Sequence, residues 1–291
     1  MITRARVAML LVMAVAAVVT GCSESTAAED HALVMGAADT PTMQVMAQIY
    51  AGALRNAGSA VSSEVRTGDD RTLLDEMDTA TVDLFPAFSG RLLAELAPQA
   101  TPVSSDEVYK ELNKALPQGV SVGDPTMVSA QPHVFVATRT AEHAQVTDLA
   151  DCGRLPAGLP VVVTGSPDAA TIGATSAAGC RFGAVQTVSS TADVLSRVAA
   201  GTAVGILTPL DVAGDDAGGA GEIRTVAVAG TRAQDLVPIY RDAAFSRDEV
   251  KTVNKVAGEL TTADLATLTR RAITGAKPAD LANGWLAEHG L

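Results

Sequence analysis

The chain has 291 residues, more than one ordinary core needs, and its 47% hydrophobic and 19% charged content is that of a globular protein with room for two lobes. A formal charge of −12, from 21 Lys and Arg against 33 Asp and Glu, excludes a nucleic-acid partner, because no stretch of basic residues gathers into a phosphate-binding face. One Trp, three Tyr, five Phe, four His and three Cys leave little material for an aromatic or metal site, and neither a metal nor another cofactor is expected.

At the N-terminus Arg4 and Arg6 precede an apolar run from Val7 to Val19. That run is too short for a spanning helix, which needs roughly 20 residues, and reads as the core of a signal peptide. The junction Val19-Thr20-Gly21-Cys22 resembles the bacterial lipobox, in which the cysteine is lipidated and becomes the new N-terminus. Residues 1–21 are therefore expected to be the signal and 22–30 a polar tether, with the protein held by lipid at Cys22 on the outer face of the cell membrane. Cys152 and Cys180 remain, an even pair in an oxidising compartment, and are expected to form a disulfide.

From Ala32 the pattern alternates strand and helix. Ala32 to Gly36 reads as a buried strand, and Asp39-Thr40-Pro41-Thr42 supplies a threonine cap with proline in the first turn of a helix. Met43, Met46, Ile49, Tyr50 and Leu54 give that helix an apolar face, and Gly58 closes it. Strands at Val61–Val65 and Thr81–Phe85, with a helix through Leu73, Leu74 and Met77 between them, complete a βαβαβ unit, the mark of a parallel sheet. Ser104 and Glu107 open a further helix. Strands are then expected at Leu159–Thr164, Val185–Val188, Ala203–Leu207 and Ile223–Val228, with Ser190 capping a helix through Val198. Beyond Tyr240 the chain reads as helical, with caps at Ser246 and Thr261 and a last helix after Lys277-Pro278.

Catalytic signatures are lacking. Gly214 to Gly221 is a turn without the lysine or following helix of a phosphate loop, and Gly173-Ala174-Thr175-Ser176 has the wrong spacing for a nucleophile elbow. His31, His133, His143 and His289 are scattered without ligand spacing.

Several segments are similar to the substrate-binding proteins of ABC importers for glycine betaine, choline, carnitine and related osmoprotectants, the OpuAC or ProX-like family. Asp83-Leu84-Phe85-Pro86-Ala87-Phe88-Ser89-Gly90 stands where that family has D-x-Y-P-E-Y-T-G. Val34 to Thr42, Leu236 to Tyr240, Leu260 to Leu265 and Gly275 to Ala282 resemble further family segments. The resemblance implies an α/β, two-lobed periplasmic-binding-protein-like (type II) fold with two hinge crossovers. One lobe would combine residues 31–136 with 238–291, and the other would hold 137–237. It also implies a small-molecule ligand, a quaternary amine or similar osmolyte, with ABC permease and ATPase subunits as partners and no enzymatic activity.

Relatives cage the ammonium in aromatic rings by cation–π attraction. On that pattern Phe88 and Tyr240 would face the cation, His133 would lie near the first crossover, and Thr40 and Thr42 would sit near the anionic end at a helix N-terminus. Asp83 is expected to be structural, and Phe85 and Phe135 to be core. The motif departs from the family where Phe replaces both tyrosines, Ala87 replaces glutamate, and Arg91 replaces a small hydroxyl residue. For the second lobe Arg181, Phe182 and Asp211 are the nearest candidates. Two alternatives stay open: the same fold with a different small solute, and a cell-envelope lipoprotein that transports nothing.

Overall fold

A computed structural model describes residues 32–165, 169–212, 222–228 and 230–291. The expectations for residues 1–30, including lipidation of Cys22, and for the loop Gly214 to Gly221 lie outside the described residues.

The chain opens with β1 (Leu33–Ala37), α1 (Pro41–Asn56), β2 (Val61–Thr67), α2 (Asp70–Asp78) and β3 (Leu84–Phe88). Thr40 caps α1, its Oγ1 accepting from the Met43 N–H at 3.3 Å, and Gly58 follows the helix with φ of 96°. The third strand begins three residues later than Thr81. The N–H groups of Thr81 and Val82 turn back to the Glu76 carbonyl, at 2.8 and 3.2 Å, and close the end of α2 instead of joining the sheet. Then come α3 (Ser89–Leu96), α4 (Ser105–Ala115) and β4 (Val120–Val122).

A crossover leads to β5 (His133–Ala137), α5 (Thr138–His143), a 3-10 turn at Leu149–Arg154, β6 (Val161–Val163), α6 (Ala169–Ala177), β7 (Val185–Thr187), α7 (Thr191–Ala199), β8 (Val204–Leu207), α8 (Pro209–Val212) and β9 (Ile223–Ala227). A second crossover returns the chain to β10 (Leu236–Arg241). It ends in α9 (Arg247–Glu259), α10 (Thr262–Ile273) and α11 (Pro278–His289), the first two opened by capping boxes at Ser246–Glu249 and Thr261–Asp264.

Two five-stranded sheets result, in the orders β2-β1-β3-β10-β4 and β7-β6-β8-β5-β9. In the first, β1 is parallel to β2 and β3, and β10 runs antiparallel between β3 and β4. In the second, β6 is parallel to β7 and β8, and β5 runs antiparallel between β8 and β9. Pro86 and Pro238 face each other in the β3–β10 pair, a register in which neither missing N–H interrupts the ladder.

The first sheet packs on α1, whose Met43, Met46, Ile49, Tyr50 and Leu54 are buried against Trp285 and Leu286 of α11. Asp83 is fully buried at the entry to β3. Its carboxylate accepts from the Val34 N–H at 2.9 Å and from Arg241 Nη2 at 2.6 Å, the structural part expected of it. Phe85 and Phe135 are core, as expected. In the second lobe Cys152 and Cys180 are joined, tying the 3-10 turn to the segment after α6.

Candidate functional site

In open α/β sheets, ligands are met at the carboxyl ends of the parallel strands. Here those ends carry Ala38–Thr40 after β1, Gly68–Asp70 after β2 and Phe88 at the close of β3. The antiparallel β5 brings its first residue, His133, beside Leu207, the last residue of β8, so the imidazole stands at the same kind of edge in the second lobe.

The two crossovers run side by side where these edges meet. The Ala130 N–H donates to the Gln234 carbonyl at 2.9 Å, and the Leu236 N–H donates to the Val128 carbonyl at 3.0 Å. The side-chain amide of Gln131 donates to both the carbonyl and the hydroxyl of Thr231, at 3.1 Å each. Gly90 makes room for this pairing, since a Cβ there would land on the Ala233 carbonyl oxygen. Ser89 and Arg91 donate their N–H groups to the Asp235 carbonyl and to Gln234 Oε1, at 2.9 Å each. The first amides of α3 are thus spent on the hinge.

A pocket of about 440 Å³ lies between α3 and the two crossovers, with Phe88, Arg91, Pro132, Thr231 and Gln234 in its wall. A second, of about 550 Å³, is lined by Asp39, Thr67, Asp69, Asp70, Arg91 and Glu95. Hydrogen bonding from Thr72 holds the Asp69 carboxyl below its usual range. Arg91 is common to both pockets. Its guanidinium carbon lies 5.8 Å from the Phe88 ring centroid, and it forms a two-point pair with the buried Asp70.

The residues singled out in the sequence part company here. Phe88 is half-buried and lines the hinge pocket. Thr40 is exposed after β1; its hydroxyl accepts from Met43 and keeps its own proton to donate. Thr42 faces the other way, its Oγ1 taking a 3.2 Å hydrogen bond from Thr269 of α10. His133 is half-buried, and burial holds its imidazole below the ordinary value, so it is uncharged at neutral pH.

Tyr240 is not brought to Phe88. On β10 it pairs with Leu84 while Leu236 pairs with Phe88, which puts the two rings at opposite ends of the strand pair, about 13 Å apart along it. The reason is direction: each step along β10 from the crossover leads away from the hinge. Tyr240 packs instead on Phe245, with ring centroids 5.3 Å apart, and burial raises its phenol pKa.

In the second lobe Arg181 donates to the Gly153 carbonyl at 3.2 Å, and Phe182 packs on that lobe's core. Asp211 accepts from the N–H and hydroxyl of Thr208, at 2.8 Å each, capping α8. The pairing of Arg91 with Asp70, and the glutamines that tie the crossovers, carry no sequence signal beyond the unusual arginine after Gly90.

Residues 31–205 match the family model described as the substrate binding domain of the ABC-type glycine betaine transport system. In structure the chain is similar to apo YehZ from Escherichia coli, with a TM-score of 0.68 at 14% identity over 89% of this chain and 99% of that one. It is also similar to a protein described as a glycine betaine/carnitine/choline ABC transporter, with a TM-score of 0.71 at 14% identity over 89% of this chain and 98% of that one. At that identity the likeness is one of fold. No curated protein matches the sequence.

Proposed function

The chain belongs to the family of substrate-binding domains of ABC-type glycine betaine transport systems, and from that premise we propose that it is the lipid-anchored solute-binding component of an ABC importer. Its solute is glycine betaine or a related quaternary amine, captured as the two lobes close about the crossovers. One observation carries this reading: the paired crossovers are the joint of a two-lobed type II fold, and Thr40, Phe88 and His133 stand at the strand ends around that joint. Two short connections hydrogen-bonded to each other form a hinge, and closing a hinge around a ligand sequesters it and presents a new outer surface.

The acidic wall offered by Asp39 and Asp69 suits a cationic solute, and an uncharged His133 adds no repulsion. The work done is capture and release, without bond chemistry. Lipid at Cys22 would hold the protein on the outer face of the membrane, beside a permease and an ATPase supplied by separate chains.

Thermal unfolding of the purified protein with glycine betaine, choline, carnitine, proline, other amino acids and sugars tests the reading. A specific ligand at 100 times its Kd adds about 2.7 kcal/mol of stability. A shift with quaternary amines is the expected result. A shift with sugars alone would replace the solute class, and no shift with any compound would remove the binding function.

A further inference from the structure

Phe88 is the one aromatic residue in the wall of the hinge pocket among the described residues, and an exposed ring face is a natural seat for an ammonium. That seat is taken. The ring packs on the core of the first lobe, and the Arg91 guanidinium lies 5.8 Å from its centroid. A second cation would have to displace the guanidinium or approach it against a like charge.

Arg91 is held where it is. Asp70, whose side chain is 4% exposed, accepts from Nε at 2.9 Å and from Nη2 at 3.1 Å in a bidentate pair. The Arg91 backbone is fixed as well, through its bond to Gln234 on the second crossover. Nη1 has no hydrogen-bond partner among the described residues, and the side chain is half exposed where it lines both pockets. Arg232, the other guanidinium in the hinge pocket's wall, is spent on the carbonyls of Gly90, Ala100 and Pro102, so this part of the wall offers a solute the oriented, charged donor of Arg91 and no bare aromatic face. Guanidinium donors of this kind suit a carboxylate.

We propose that Arg91 is the specificity-determining residue of the site: it takes the carboxylate of a zwitterionic solute beside Phe88 and turns away a solute that offers only an ammonium there. The inference rests on the solute-binding reading above and deepens it, because it orients the ligand. The acidic wall beyond Arg91 leaves Asp39 and Asp69 for the cationic end, Glu95 being paired with Arg71 at 3.2 Å.

Two pairs of probes decide the matter by calorimetric titration. Glycine betaine and choline share a quaternary head and differ in carboxylate against hydroxyl; proline and prolinol differ in the same way. The wild-type protein is expected to favour the carboxylate of a pair by about tenfold or more, the scale of a hydrogen bond to a charged group, and Arg91→Thr to erase most of that preference. Should Arg91→Thr fail to fold because Asp70 is left buried without its partner, the double variant Asp70→Asn with Arg91→Thr removes both charges and serves instead.

Equal binding of choline and betaine by the wild type, or a preference unchanged in the variant, overturns the proposal. If neither quaternary amine binds but proline is preferred to prolinol and the preference is lost in the variant, Arg91 keeps its part and the quaternary-amine reading falls. If none of the four binds, both fall.

Discussion

In each lobe the strand that arrives from a crossover, β5 in one and β10 in the other, reverses direction against parallel strands and is flanked on its far side by an edge strand. The lobes diverge in what fills that shared plan. The first buries charge: Asp83 lies fully inside against Arg241, and Asp70 is nearly so against Arg91. The second has three-residue strands at β6 and β7, a valine-rich core and a disulfide. The first lobe's buried polar groups are thus locked by one another. The other lobe is held by apolar packing and a covalent tie, and offers His133 at its edge.

The comparison can be broken most severely at Asp83. Asp83→Ala leaves Arg241 mostly buried without its partner, at a cost of about 3–5 kcal/mol. Urea unfolding measures it, and a loss under 1 kcal/mol would mean that the buried pair does not hold the first lobe. Next comes the second lobe's tie. Cys152→Ser together with Cys180→Ser opens a loop with a sequence separation of 28 and is expected to lower stability by about 3–4 kcal/mol. Limited proteolysis should then cut between residues 138 and 227 before it cuts the first lobe; the reverse order would contradict the contrast drawn here.

A smaller effect is expected at Thr40. Thr40→Ala removes the cap of α1 and costs about 1 kcal/mol, read as a lower melting temperature.

The smallest effect is one of pH. The folded state holds the His133 imidazole below its ordinary value of 6.5, so the unfolded chain takes the proton first as pH falls. The His133 contribution is therefore complete above the ordinary value and is lost as pH drops from there toward the lowered folded value. His133→Gln should flatten the stability curve across that window; an unchanged slope between pH 7 and 5.5 would show that His133 is not buried as described.

Local signals in the sequence fix the helix starts. The caps at Thr40, Ser104, Ser190, Ser246 and Thr261 all act as N-caps, since a hydroxyl next to a helix start needs only its own neighbours to act. The α/β layout was legible in the alternation of strands and helices, and the two-lobed type II fold in the family resemblance carried by the motif beginning at Asp83. Most of what escaped depends on distant groups. The start of β3 is set by the Glu76 carbonyl, and α3 is hidden behind Pro86 and Gly90, whose lack of a side chain serves the crossover opposite it. Tyr240 stood beside Phe88 on the family resemblance alone, and antiparallel pairing carries it away from the hinge. The Arg91–Asp70 pair joins residues 21 apart on two different helices, and nothing local marks it.

The place of β10 has a consequence for how the molecule comes into being. It lies inside the first sheet yet is the last strand in the chain. As a growing chain emerges from the N-terminus onward, β3 and β4 must wait with open edges, and Asp83 without Arg241, until residue 241 has been made. The second lobe, contained between the crossovers, has all its strands earlier. Folding order is thereby set by topology: the inserted lobe can form first, and the lobe that encloses it closes only near the end of synthesis.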